Sequence, residues 1–168
     1  MKLNKKTFVL RAISLLFVLL WMGVIFLMSA ESGAESTDTS DGVVYYIAKV
    51  IVSGFDEMTI LEQQLIMDKM SGAVRTAGHF CEFAGLGFLS LNALLTYKLK
   101  IWQKVVFSFV FSVIYAISDE IHQIFVPDRA FQISDIAVDS LGVLTGIAML
   151  CLVLCIVKKC RKEKKNDT

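Results

Sequence analysis

Net charge, proline, histidine and disulfide-type cysteine spacing are all scarce in this sequence of 168 residues. The formal charge is only +1, from 17 Lys and Arg against 16 Asp and Glu, so there is no basic excess for nucleic acid. Four cysteines are present, but Cys81, Cys151 and Cys155 fall in apolar segments and Cys160 in a basic tail. That placement excludes a secreted disulfide framework and carries no zinc signature; small membrane-buried thiols remain. No internal repeat is visible. The one proline, Pro127, marks with the "DRAF" motif a single turn back of the chain. What abounds is apolar: 55% of residues, with a mean hydropathy of +0.63. Soluble domains average roughly 45–50% apolar, so an ordinary soluble domain is excluded. The length suits one small membrane bundle.

Crossing a hydrocarbon core of roughly 30 Å takes about 20 mostly apolar residues. Four stretches qualify: 8–28, 79–97, 101–117 and 133–157. The expected fold is all-α, a multi-pass transmembrane four-helix bundle whose extracytoplasmic loop carries short amphipathic helices. Arg11, near the start of the first span, is expected to snorkel toward headgroups. Lys104 makes the edge of the short third span the least defined. Asn92, deeper in the second, is expected to make an interhelical hydrogen bond.

Basic residues orient the bundle. Lys2, Lys5, Lys6 and Arg11 open the first span, and Lys98, Lys100 and Lys104 surround the link between spans two and three. Lys158, Lys159, Arg161, Lys162, Lys164 and Lys165 follow span four, in the tail 158–168. With four spans all three groups fall on one side, which the positive-inside rule makes cytoplasmic, so both termini are expected inside a cell membrane. Lysines, an apolar run and "MSAES" also resemble a signal peptide cleaved after Ala30, but the run exceeds the roughly 7–15 residues of a signal core.

The outer loop, 29–75, opens with "SAESGAESTDTSDG", a polar run expected to be flexible. "VVYYIAKVIVSG" is apolar but too short to span, which indicates an interfacial or re-entrant helix. In "TILEQQLIMDKM", Thr59 and Glu62 have capping-box spacing, and Met58, Leu61 and Leu65 recur as the face of an amphipathic helix lying on the bundle.

This topology gathers the ionisable residues. Span two begins outside with Arg75, His79 and Glu82 on one helical face, spaced by four and three. Span three ends outside with Asp119, Glu120, His122 and Gln123; Asp119 and His122 share a face if the helix continues. Span four begins outside with Asp135 and Asp139, and Gly142 and Gly146 continue that stripe. The G-x-x-x-G pair, with Gly85 and Gly87, indicates close approach of spans two and four. Intramembrane charges cost about 2–3 kcal/mol each at mid-depth on insertion scales, so these groups must pair, face a wet cavity or bind something.

Three chemistries fit such a layer. Arg75, Glu82, Asp135, Asp139 and Arg129 can form a structural ion-pair network. His79 with Glu82, or His122 with Asp119 or Glu120, have ligand types that suit zinc or manganese, but the H-E-x-x-H pattern is missing and no metal is assigned. A histidine held by a carboxylate can also act as acid or base, with Arg75 and Arg129 holding a phosphate of a lipid-linked substrate. Ser29, Ser32 and Ser118 are candidate nucleophiles of low specificity. Nothing in the residues selects a cofactor or an oligomeric state. A transporter fits poorly, because the charges cluster at one face instead of the midplane.

"VRTAGHFCEFAGLGFL" and "YAISDEIHQIFVPDRAFQISDIAVDSLGVLTG" resemble the two signature blocks of the VanZ-like bacterial membrane proteins. The resemblance covers roughly 75–146. It implies functional positions at Arg75, His79, Glu82, Asp119, Glu120, Gln123, Arg129, Asp135 and Asp139. Gly78 and Phe83 depart from the usual alanine and tyrosine, and Asp128 replaces the glycine of a Pro-Gly-Arg turn that aspartate tolerates. The "SAES" segment is a loose match to a Ser-Ser-Gln-like one. The resemblance further implies low-level resistance to teicoplanin, an acylated glycopeptide acting at the outer membrane face on cell-wall precursors. The expected ligand is amphiphilic, lipid-linked or lipopeptide-like. Whether the protein is a hydrolase or transferase, or a partner-binding bundle without chemistry, stays open at the level of sequence.

Overall fold

The structure, a computed structural model, describes residues 4–31, 33–127 and 129–166, with the backbone alone at 33–40 and 163–166. Among the described residues it is all-helical: α1 (Lys5–Ser29), α2 (Gly33–Ile51), a single 3-10 turn (Phe55–Glu57), α3 (Ile60–Leu95), α4 (Ile101–Gln123) and α5 (Ile133–Asn166). Among the described residues three helices are long and apolar enough to cross a membrane: Lys5–Ser29, Ile101–Gln123 and, within α5, Ile133–Lys162. The expected second span lies in the C-terminal half of α3, where His79, Glu82, Ser90 and Asn92 dilute the apolar run.

Side chains are distributed as a bilayer demands. Leu16, Phe17 and Leu20 of α1, Trp102, Phe107 and Ile114 of α4, and Leu144, Met149 and Leu152 of α5 are exposed. Ser90, Ser108, Ser112, Asp119, Glu120, Gln123 and Asp139 are buried. Water would favour the reverse, whereas lipid solvates the apolar rim and drives polar groups inward.

The core is built around α3 and α5, which run parallel and form the most extensive helix pair. A Cβ added to Gly142 would overlap the Phe80 carbonyl, and one added to Gly146 the Ala84 carbonyl. A Cβ at Gly87 would lie 2.5 Å from the Val143 oxygen. Backbone therefore meets backbone along this seam, as the G-x-x-x-G spacing indicates. Gly85 belongs to a different contact: it accepts the indole of Trp21 on α1. Phe83, Leu86, Leu91, Val143, Ile147 and Leu150 fill the interior, closed by Val18 and Ile25 of α1 and Ala116 of α4.

At the other end of the bundle two cations finish α3. Arg11 donates from Nε and Nη2 to the Thr96 carbonyl at 3.3 and 3.0 Å and lies 4.1 Å above the Tyr97 ring. The Lys104 Nζ donates to the Leu95 carbonyl at 3.2 Å. Arg11 is thus a C-terminal cap and not a snorkelling side chain, because orphan helix carbonyls offer it charge-assisted partners. Asn92 is exposed and makes no hydrogen bond among the described residues, so the interhelical bond expected of it is not formed here.

The segment between the first two expected spans differs from its sequence reading in two respects. The backbone of 33–40 is helical and continuous with 41–51, so the part of the polar run from Gly33 to Gly42 is the first half of α2 and not a flexible loop. The helix that follows does not end before the second span: α3 is one helix of 36 residues, capped at its start by the expected box. Thr59 N donates to Glu62 Oε2 at 2.9 Å, and Glu62 N to Thr59 Oγ1 at 3.4 Å. At 1.5 Å per residue α3 is about 54 Å long, well beyond the bilayer core. Leu61 and Leu65 are exposed. Ile66, Met67 and Met70, half-buried, occupy the opposite side of this segment. Its partner is α2, whose Val44 and Ala48 are buried, instead of the bundle. Gly54, at φ 75°, reverses the chain between them, and Lys49 pairs with Asp56 at 2.7 Å.

Candidate functional site: a buried polar layer

The end of the bundle opposite Arg11 collects the polar residues of four helices. α1 ends at Ser29, whose hydroxyl accepts a 3.0 Å hydrogen bond from Gln123 Nε2 at the end of α4. Trp21 Nε1 donates to the Glu82 carbonyl at 2.8 Å and Tyr115 Oη to the Met22 carbonyl at 2.7 Å. These bonds tie α1 to α3 and α4, fixing the depth at which the helix ends meet. α4 runs on to Gln123, so Asp119, Glu120 and Gln123 all face inward and are buried. Glu120 Oε2 accepts from the backbone N–H of Gln132 at 2.8 Å, holding the turn that leads into α5.

His79 and Asp139 sit where α3 and α5 touch. The imidazole Nδ1 is 3.8 Å from Asp139 Oδ1, and the aspartate is fully buried. The Gly142–Phe80 contact one turn deeper sets this approach. Sequence spacing offers Glu82 as the partner of His79; the structure brings Asp139 there instead, because α5 packs against that face of α3. His122 turns the other way and stacks on Phe26 of α1, ring centroids 4.6 Å apart.

The layer is short of partners. His79 Nδ1, Asp119 Oδ2, Glu120 Oε1, His122 Nε2, Gln123 Oε1, both Asp139 oxygens, and Arg129 Nε and Nη1 are buried without a hydrogen bond among the described residues. Neither Arg75 nor Arg129 forms an ion pair with a described carboxylate. A structural network closing the bundle end is therefore not what the geometry shows. Buried polar atoms cost stability when unsatisfied, so this concentration makes the layer the candidate site. Among the described residues no three His, Cys, Asp or Glu side chains converge as metal ligands.

Beside this layer opens a cavity of about 290 Å³, lined by Arg75, Thr76, His79, Gln132, Asp135 and Val138 with Gly72. Gln132 and Thr76 join it without having been singled out from the sequence; Gln132 precedes α5 in an unremarked "FQ" and is placed only by the bond to Glu120. Of the candidate nucleophiles, Ser29 reaches the layer, whereas Ser118 is exposed and bonds to the Tyr115 carbonyl at 2.7 Å. Ser32 and Asp128 lie outside the described residues.

Fold and site together define a helical membrane protein with a buried ionisable layer opening into a cavity at one end. The VanZ/LLP1 family profile matches residues 14–155, and the chain belongs to that family. No curated protein and no solved structure matches it.

Proposed function

We propose that the protein spans a bacterial cell membrane four times, with both termini cytoplasmic and the polar layer at the outer leaflet. There it recognises an amphiphilic, cell-wall-related or lipopeptide-like ligand, and so contributes to resistance against teicoplanin or to an envelope process. Arg75 and Arg129 hold an anionic group, Gln123 and Asp135 contact the rest of the polar head, and Asp139 positions His79. The observation that carries this reading is the pairing of an open cavity with buried arginine, histidine and carboxylate atoms that have no hydrogen-bond partner among the described residues. The basic residues at the opposite end support the orientation.

A second reading is favoured by the His79–Asp139 approach at the cavity wall. A histidine beside a buried carboxylate is equipped to accept and return a proton, as a hydrolase or transferase of a lipid-linked substrate requires. Glu82, Asp119, Glu120 and His122 would then complete the acid–base set. The test is expression in a teicoplanin-susceptible bacterium of the wild type, Arg75→Gln and His79→Ala at matched membrane abundance. Loss of protection by Arg75→Gln at full abundance supports ligand recognition, and retention of activity by both variants contradicts it. Protection kept by Arg75→Gln and lost only by His79→Ala points to the chemical reading.

A further inference from the structure

The two charged walls of the cavity specify its ligand more narrowly. α3 and α5 are parallel and in register at the His79–Asp139 approach of 3.8 Å. One turn earlier on each helix, about 6 Å along the axis, stand Arg75 and Asp135, both lining the cavity. Opposite charges thus face one space from neighbouring helices, yet no ion pair closes between them. Behind His79, Asp139 is 0% exposed, its carboxylate beside the imidazole without a hydrogen bond among the described residues.

A purely anionic head group would satisfy Arg75 but lie against Asp135, with Asp139 beneath. A purely cationic one would satisfy Asp135 and meet Arg75. Like charges forced together in a poorly solvated space are repelled strongly. Only a ligand bearing both charges a few bonds apart satisfies both walls. Size narrows the choice further: about 290 Å³ is at the low end of the roughly 300–1,000 Å³ of pockets for drug-sized molecules. It admits a head group and no large glycopeptide.

Resting on the reading of the cavity as a ligand site, we infer that it takes a small zwitterionic head group, an amine and a phosphate or carboxylate within one molecule. Arg75 holds the anion and Asp135 the ammonium. The same chemistry occurs in phosphoethanolamine lipids and in free amino-acid termini. The purified full-length protein in detergent separates them by thermal stabilisation on titration with phosphatidylethanolamine, phosphatidylglycerol, O-phosphoethanolamine or alanine. Phosphatidylethanolamine is expected to bind about 10-fold more tightly than phosphatidylglycerol, the size of one satisfied charged contact. Saturation by O-phosphoethanolamine alone identifies the lipid source, and saturation by alanine the amino-acid source; either supports the inference.

Asp135→Asn should remove the preference and bring phosphatidylglycerol level or ahead, a reversal that misfolding cannot produce. Arg75→Gln should weaken both lipids. Equal binding of the two lipids by the wild type, or an unchanged preference in Asp135→Asn, overturns the zwitterion. If Arg75→Gln still weakens phosphatidylglycerol in that case, the cavity stands as an anion-binding site and only its selectivity falls. No binding by any of the four probes overturns both.

Discussion

Gly146→Ala tests the α3–α5 seam that sets the depth of the whole layer. The added methyl would overlap the Ala84 carbonyl, with Ala84 C at 2.7 Å and Phe88 N at 3.0 Å. All three are backbone atoms, so no rotamer change relieves the clash and the helices must separate. Overpacking of this kind costs about 1–3 kcal/mol, and a backbone overlap belongs at the upper end. Alanine returns about 1 kcal/mol of helix propensity, leaving a net loss of about 2 kcal/mol. For a chain of this size that is about 4–8 °C in melting temperature. Gly23→Ala on α1 is the matched control: its Cβ meets nothing within 4 Å, so propensity alone should leave it neutral or about 1 kcal/mol more stable. The assay is fluorescence-detected melting of both variants in one detergent. A Gly146→Ala melting temperature equal to or above that of Gly23→Ala would refute the backbone-to-backbone contact.

Other expectations follow from single contacts. Arg11→Ala removes two hydrogen bonds to the Thr96 carbonyl and the stacking on Tyr97; about 1.5–3 kcal/mol should be lost, and an unchanged melting temperature would show the cap to be idle. Trp21→Phe keeps the ring against Gly85 but loses the bond to the Glu82 carbonyl, costing about 1 kcal/mol in the same assay. The Thr59 cap, through hydroxyl and backbone hydrogen bonds, holds Glu62 below its usual carboxylate range. A carboxylate depressed in the folded state stabilises above its unfolded value and loses that contribution as pH falls through the folded one. The first turn of α3 should therefore exchange its amides with a lower protection factor at about pH 3 than at about pH 6, and equal protection would contradict the sign.

Much of this was legible because membrane helices are written in long apolar runs and charged termini. The runs at 8–28, 101–117 and 133–157 each fall inside a helix, and the helix through Gln123 places Asp119 and Glu120 inward, as their spacing allows. The Gly142–Gly146 stripe found its partner on α3. Less legible was anything decided between helices. Gly85 reads like Gly87, yet one meets an indole and the other a carbonyl. His79 reads as the partner of Glu82, its neighbour on the same helix; packing brings Asp139 instead. The polar run before Val43 carries no helical period of its own, and its helix is continuous with the apolar turns that follow. Ser71-Gly72 and Gly78 read as breaks before His79, yet α3 runs unbroken through both into the apolar segment.

The most direct test is the side of the membrane from which each end of the bundle can be reached. With the native cysteines replaced, single cysteines at Thr76→Cys and Asp135→Cys in the cavity wall, and at Lys100→Cys and Lys162→Cys at the basic end, are treated in intact cells with a membrane-impermeant thiol reagent. Positions 76 and 135 should label at once, and 100 and 162 only after permeabilisation. Labelling of 76 and 135 from opposite sides, or of both only after the membrane is opened, would contradict a shared polar layer at the outer face.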